Sequence, residues 1–289
     1  MKELLRHHGL QARKSLGQHF LTDEKVLAKI VEAAGLTSRD LVVEVGPGLG
    51  TLTRTLAARA GTVIAVEVDG GFVSLLRQQL SHLPNEVIVP ADILDLTPAE
   101  LVASYGPLEV DNSGSWPQYK MVANLPYNIA AVVLRHFLEA DHKPSRMVVM
   151  VQKEVGEVIA ASPDSSSPGR MGLLSLGVQV YGRPSIVARV PASHFYPRPK
   201  VDAVVVSIDV YKTPAVQDPQ RFFTAARAGF SAPRKQLHNS LALGLGVPVA
   251  QAKESLEAAG IDGSRRPSTL TIEEWEGLSR VLPLTGDRS

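Results

Sequence analysis

Five short apolar runs constrain this chain more than any other feature. They are "LVVEV" (41–45), "TVIAVEV" (62–68), "EVIVPAD" (86–92), "KMVANLPY" (120–127) and "RMVVMVQKEV" (146–155). Continuous apolar character over so few residues fits strands covered on both faces. Helical patterns separate several of them. "TLTRTLAARA" sets Leu52 and Leu56 at helical spacing, and "GFVSLLRQQL" sets Phe72, Leu75, Leu76 and Leu80 on one face. After the fourth run come Ile129, Val132, Val133 and Phe137. Such alternation predicts a mainly parallel sheet with helices on both faces, an α/β fold. Two later segments, "GVQVYGRPSIVARV" (177–190) and "VDAVVVSIDV" (201–210), have no helix pattern between them. They read as a strand pair closing one edge, with an antiparallel member. "YKTPAVQDPQ" (211–220) reads as a linker. Beyond it "RFFTAARAGF", "KQLHNSLALGL", "VAQAKESLEAAG" and "TIEEWEGLSRVL" are helical. The expected division is an α/β domain over 1–212 and a small all-helical domain over 213–289.

The chain contains no cysteine, which removes disulfides, zinc–thiolate sites and cysteine nucleophiles and fits a reducing cytoplasm. The N-terminus lacks the apolar core of a signal peptide, and no apolar run approaches 18 residues. A cytoplasmic protein without a membrane span is expected. Net charge is only +1, yet basic residues cluster. Lys2, Arg6, Arg13 and Lys14 crowd the start. Arg183, Arg189, Arg198 and Lys200 form a second group, and Arg221, Arg227, Arg234 and Lys235 a third. Clusters of this kind either bind phosphates or are solvated faces.

Three strand ends carry the chemistry. "LVVEVGPGLGTLT" runs from strand through Gly46, Gly48 and Gly50 into helix, so the backbone turns tightly beside a helix N-terminus. The spacing is G-x-G-x-G, unlike the dinucleotide form G-x-G-x-x-G. Glu67 ends the second strand 67 − 46 = 21 positions on, near the roughly 20 expected of a ribose-binding acid. Asp92 ends the third strand, where a carboxylate suits an adenine amine. The bland alternative for each acid alone is a surface turn residue. Together with the glycine loop they describe a nucleoside site without a pyrophosphate-binding feature. These residues resemble the class I S-adenosylmethionine methyltransferases, which implies a Rossmann-like sheet of seven strands and S-adenosylmethionine as cofactor.

The fourth strand ends in Asn124-Leu125-Pro126-Tyr127. The exocyclic amine of adenine is a poor nucleophile because its lone pair is delocalised. The Asn124 side-chain oxygen and the Leu125 carbonyl suit acceptance of its N–H groups. Pro126 removes a donor and stiffens the turn. Tyr127 offers a face for an extruded base, worth roughly 1–3 kcal/mol. The tetrapeptide resembles the N/D-P-P-Y/F signature of amino-methyltransferases, with Leu in second place.

Across nearly its whole length the chain resembles the ribosomal small-subunit RNA adenine dimethyltransferases. "KSLGQHFL" (14–21), "EVGPGLGTLT", "VIAVEVD", "ADILDL", "NLPYNI", "HFYPRPKVDA" (194–203) and "FFTAARAGFSAPRKQLHNSL" (222–241) occur in family order. The resemblance implies dimethylation of the N6 amine of two adjacent adenosines near the RNA 3′ end, linked to subunit maturation. It implies cofactor contacts from Gln18, His19, Leu21, Gly46, Gly48, Glu67, Asp92 and Asn124. It implies that Asn124, Leu125, Pro126 and Tyr127 handle the target amine, and that Phe195 stacks on the adenine opposite Tyr127. Arg221, Arg227, Arg234 and Lys235 are expected at RNA phosphates. The expected partner is the small subunit and its RNA; a monomer without metal is expected. His19 stands where Asn is usual, Ala203 where Ser is usual and Met171 where Tyr is usual. "VDNSGSWPQYK" lengthens the loop before the fourth strand. His194 and His238 have no partner at ligand spacing and read as structural. Three other readings remain open: an RNA-binding assembly factor on the same fold, a nucleotide-binding oxidoreductase, and a related methyltransferase acting on large-subunit RNA or DNA.

Overall fold

The computed structural model describes residues 5–6, 8–13, 17–107, 117–163 and 170–283. Lys2, Lys14 and residues 108–116 and 164–169 lie outside these. The chain divides into two compact units, Met1–Gly156 with Arg183–Lys212, and Glu157–Gly182 with Thr213–Ser289.

The first unit is built on a seven-stranded sheet. A two-residue strand, β1 (Phe20–Leu21), precedes α1 (Glu24–Ala34). Then follow β2 (Leu41–Val45), α2 (Thr51–Ala57), β3 (Thr62–Glu67), α3 (Gly70–Leu80), β4 (Glu86–Pro90), α4 (Pro98–Tyr105), β5 (Tyr119–Asn124), α5 (Ala130–Leu138), β6 (Arg146–Gln152) and α6 (Lys153–Ile159). After α7 (Leu173–Gln179) come β7 (Gly182–Val190), β8 (Phe195–Tyr196) and β9 (Ala203–Val210). The large sheet has the order β4-β3-β2-β5-β6-β9-β7. Its first five strands are parallel, and β9 lies antiparallel on β6. Every residue of β2 is buried, as expected of a strand covered on both faces. Helix ends follow local chemistry. Asp23 accepts from the Lys25 and Val26 amides to start α1, and Gly35 closes it in the left-handed conformation. A Thr97–Glu100 capping box with Pro98 opens α4.

Two sequence expectations change here. Gly177–Gln179 was expected within a strand but is helical, and the strand begins at Gly182. Leu176 and Val178 are both buried, and a short apolar run satisfies either period. Val132, expected on the apolar face of α5, is 52% exposed, and Ala130, Val133, Leu134, Phe137 and Leu138 are buried instead.

The second unit contains α8 (Pro219–Gly229), α9 (Leu237–Leu245), α10 (Val249–Ala258) and α11 (Ile272–Val281). It also takes residues 157–182, so a single boundary at 212 does not describe it. The reason is packing. The Ala215 amide donates to Val180 O at 2.8 Å, and Tyr181 stacks on Phe223 with centroids 6.2 Å apart. Trp275 is fully buried and stacks on Phe230. No helix among the described residues is long and apolar enough to cross a membrane.

The strand registers position the site. Leu41 pairs with Thr62, an offset of 62 − 41 = 21, and with Tyr119, an offset of 119 − 41 = 78. Carried forward past the strand end, the same offsets set Gly46 in one row with Glu67 and Asn124. The chain winds outward from β2 through β3 to β4, then returns to add β5 on the other side of β2. The crevice at the carboxyl ends of β2 and β5 is therefore a topological switch point, where open α/β sheets bind ligands.

Candidate active site

A cleft of about 190 Å³ opens at this switch point. Gln18, His19, Leu21, Gly46, Gly48, Glu67, Asp92, Asn124, Leu125, Pro126 and Tyr127 all line it. These are all of the residues singled out from the sequence for cofactor and amine except Phe195.

The glycine loop is shaped by conformation. Gly46, Gly48 and Gly50 have φ of 68°, 54° and 70°, where side chains with a Cβ are strained. A Cβ at Gly48 would also lie 2.8 Å from the Phe20 ring. Glu67 holds the loop from the neighbouring strand. Its Oε2 accepts from the Gly48 amide at 3.1 Å and its Oε1 from the Asp69 amide at 3.0 Å. A carboxylate has about four acceptor positions, so both oxygens keep capacity for hydroxyl donors. Asp92 Oδ1 accepts from the Leu94 amide at 3.0 Å, while the residue stays exposed.

Sequence reasoning missed Val68 and Ile93, which follow the two acids and also line the cleft. Val68 is 58% exposed and so offers an apolar surface at the cleft. The signal was present as an apolar residue just past each strand-end acid.

Asn124 is oriented by the N-terminal segment, its Nδ2 donating to the His19 carbonyl at 3.0 Å. This leaves Oδ1 as the acceptor. The His19 ring lies 5.3 Å from the Tyr127 ring at 32°, and its Nδ1 is 2.7 Å from the Pro197 carbonyl. The contact from Gly17 is equally close: a Cβ there would sit 3.2 Å from the Tyr127 nitrogen and 2.8 Å from Asn128 Oδ1. Burial, with Asp202 and Glu154 adding to it, pushes the Tyr127 phenol up to about 12, so the ring is a neutral phenol near neutral pH.

Phe195 does not line the cleft. It is 4% exposed, pairs with Leu21 across β1 and β8, and belongs to the core cluster with Leu27, Val190 and Ala203. The ring beside Tyr127 is that of His19. Arg221 has partners within its own unit. Its guanidinium donates to the carbonyls of Ser279 at 2.6 Å, Leu282 at 3.0 Å and Arg280 at 3.4 Å, closing the C-terminal end of α11. Arg227 reaches Thr224 Oγ1 only at 3.4 Å. Arg234 and Lys235 line a shallow groove with Asn239, Leu243 and Val249. In the second basic cluster, Arg183 lies 3.4 Å from Asp209. His194 and His238 have structural partners, Asp23 and the Gly263 carbonyl, each at 2.8 Å.

Comparison with known proteins accords with this geometry. A family model described as ribosomal RNA adenine dimethylase matches residues 9–279. The chain belongs to this family. A relative from Dehalococcoides mccartyi (strain 195), named ribosomal RNA small subunit methyltransferase A, is 47% identical over 97% of this chain and 91% of its own. A protein of the same name from Moorella thermoacetica is 42% identical over 96% and 95%. Among solved structures, the 23S rRNA methyltransferase ErmE is 27% identical with a TM-score of 0.68, covering 91% of this chain and 99% of its own. A dimethyladenosine transferase from Plasmodium falciparum shares the fold, with a TM-score of 0.72 at 22% identity, over 90% of this chain and 95% of its own.

Two carboxyls sit close together under the dimethylase glycine loop. Glu44 is 1% exposed, its Oε2 has no hydrogen-bond partner among the described residues, and it also lines the cleft. Burial pushes Glu44 up to about 8; the Thr53 hydroxyl opposes this and the Glu67 charge adds to it. Burial also raises Glu67, against the Asp69 and Gly48 amides that favour its charge.

Two outcomes follow from this arrangement. Glu67→Ala removes a carboxylate that holds the Gly48 and Asp69 amides and lines the cleft. Charge-assisted hydrogen bonds contribute roughly 1.5–3 kcal/mol each, so the Kd for S-adenosylmethionine is expected to rise about tenfold or more. Calorimetry giving an unchanged Kd would take Glu67 out of the site. Glu44 titrates near 4.5 when unfolded and near 8 when folded. Between those values the unfolded chain binds fewer protons, so this group's contribution to stability is full below pH 4.5 and declines as pH rises to 8. Thermal unfolding of Glu44→Gln against the parent should show the difference moving in favour of the variant across that window, by on the order of a few kcal/mol, and levelling above it. A pH-independent difference would show that Glu44 is ionised throughout.

Proposed function

We propose that the protein dimethylates the N6 amines of two adjacent adenosines near the 3′ end of small-subunit ribosomal RNA, with S-adenosylmethionine as methyl donor, during subunit maturation. The observation that carries the proposal is the fixed amide of Asn124 beside the glycine loop. An acceptor oxygen for an amine is thereby held next to a nucleoside-binding row on the same sheet.

The residues present fit the cofactor. Glu67 offers acceptor capacity for two ribose hydroxyls, Asp92 a second carboxylate oxygen for an adenine amine, and Val68 and Ile93 apolar faces for a flat base. The left-handed glycines leave room for close approach to the loop backbone. When bound, the cofactor supplies an electrophilic methyl group on a sulfonium.

The chain's own part is positioning. Asn124 Oδ1 and the Leu125 carbonyl accept N–H groups of the target amine, which favours a lone-pair-bearing nitrogen. Pro126 keeps the turn stiff and Leu125, buried and donating its amide to the Met150 carbonyl at 3.1 Å, anchors it. Tyr127 holds the extruded base by stacking. The amine proton leaves to solvent once the new N–C bond has formed. Geometry of this kind replaces a covalent intermediate. In this proposal the helical unit contacts RNA through Arg227, Arg234 and Lys235, and the enzyme works as a cytoplasmic monomer.

The direct test is incubation with labelled S-adenosylmethionine and undermethylated small subunits, followed by nucleoside analysis. N6,N6-Dimethyladenosine at two adjacent positions is the expected product, and label elsewhere or none would defeat the proposal. Variants separate the roles. Asn124→Ala is expected to slow single-turnover transfer by on the order of 10²–10³, as for other preorganised hydrogen-bonding groups, with cofactor and subunit binding largely kept. Tyr127→Ala weakens capture of the base, whereas Tyr127→Phe is tolerated because the buried hydroxyl has no partner among the described residues. A normal rate for Asn124→Ala would remove the tetrapeptide from the chemistry.

Salt dependence tests the RNA contacts. The double variant Arg234→Ala, Lys235→Ala should lower the slope of log K against log salt by roughly 1.4–1.8, the value for two lost phosphate contacts. Arg221→Ala should leave the slope unchanged and lower the melting temperature of the helical unit instead. Equal slopes for the parent and the double variant would make Arg234 and Lys235 ordinary solvated side chains.

A further inference from the structure

We infer that His19 is a positioning residue for the target base, acting through the Tyr127 ring rather than through the cofactor. The inference rests on the reading above, in which Tyr127 stacks on the extruded adenine.

Three contacts define what this histidine does. Nδ1 lies 2.7 Å from the Pro197 carbonyl, which can only accept, so Nδ1 carries the proton and the ring plane is fixed. The ring centroid lies 5.3 Å from that of Tyr127 at a tilt of 32°, within the range of favourable aromatic pairs. The backbone carbonyl accepts from Asn124 Nδ2 at 3.0 Å. One residue therefore touches both halves of the base-handling turn.

The state of Tyr127 gives the ring contact its importance. Among the described residues its buried hydroxyl has no hydrogen-bond partner. Without such a bond at the tip, packing sets the angle of the ring. Among the described residues its aromatic neighbour is His19. His19 is in turn held from both sides, by the pairing of Phe20 with Tyr196 and by its own bond to Pro197. The imidazole thus transmits the rigidity of the β1–β8 pair to a ring that must meet an incoming base at a defined angle. An amide side chain at this position could reach the Pro197 carbonyl but offers no aromatic face.

Three variants of the full chain separate face from hydrogen bond. His19→Asn keeps a donor and removes the face, His19→Phe keeps the face and removes the donor, and His19→Ala removes both. For each, three quantities are measured: cofactor Kd by calorimetry, the subunit concentration giving half-maximal single-turnover transfer, and the rate at saturation. Melting temperatures are recorded in parallel. The cofactor Kd is expected to stay within about twofold in all three. The half-saturating subunit concentration should rise roughly three- to tenfold with Asn and Ala, the size of one lost aromatic pair, and His19→Phe should recover most of it. In a Tyr127→Ala background, His19→Ala should add no further loss, because its effect passes through that ring.

A tenfold loss of cofactor affinity with unchanged subunit dependence would overturn the inference and return His19 to the cofactor. So would additive losses in the double variant, or failure of Phe to outperform Asn. If Tyr127→Ala alone leaves subunit dependence untouched, the stacking reading itself fails, and the inference with it. If Tyr127→Ala impairs capture while the His19 variants do not, only the inference fails.

Discussion

The parallel pairing of β2 with its two neighbours is the constraint on which the site depends. In a parallel sheet a register is a single integer, and here the integers are 21 and 78, the differences 62 − 41 and 119 − 41. The row that they generate contains Gly46, Glu67 and Asn124. A slip of one position in either pairing would turn every side chain of a strand to the opposite face. It would carry Glu67 off the Gly48 amide and the base-handling turn off the glycine loop. Uniform burial of β2 protects this register, because each of its residues has a packed partner to lose.

Glu67 shows how the site joins stability to ligand chemistry. The same two oxygens that stand ready for hydroxyl donors already tie down the Gly48 and Asp69 amides. The loop is preshaped before anything binds, so little ordering remains to be done on binding. The cost is a buried carboxyl next to Glu44, itself pushed up to about 8 by burial. Two acids that near one another, under a loop rich in left-handed glycines, are poor choices for stability alone. They make sense where a ligand carries hydroxyls and positive charge.

Much of this was legible in the sequence, for physical reasons that can be named. The central strands are apolar on both faces and bounded by glycine and proline, so composition marks them. Gly46 to Glu67 reads as a spacing of 21 because the strand–helix–strand unit has that length, and the sheet then uses the same number as its register. What was not legible depends on partners remote in sequence. The packing of Phe195 is fixed only when β1 pairs with β8. The carbonyls that Arg221 binds come from the distant C-terminal end of α11. Gly177–Gln179 obeys either strand or helix period over so short a run. The segment 157–182 carries no compositional mark of the unit it joins; only the Ala215–Val180 bond and the Tyr181–Phe223 stack reveal it.

The β1–β8 pair has a consequence for synthesis. Phe20 meets Tyr196, and 196 − 20 = 176 residues separate them. Until the chain has grown past that point, the segment holding Gln18, His19 and Leu21 has no strand to lie on, and Asn124 lacks the carbonyl that orients it. Closing so long a loop is slow compared with forming the local βα units. On the ribosome, where domains form progressively from the N-terminus, the glycine loop and its acid come together early, while the wall of the cleft arrives late. A nascent chain carrying five parallel strands would thus hold the row of Gly46, Glu67 and Asn124 and still lack the contact that fixes the Asn124 amide.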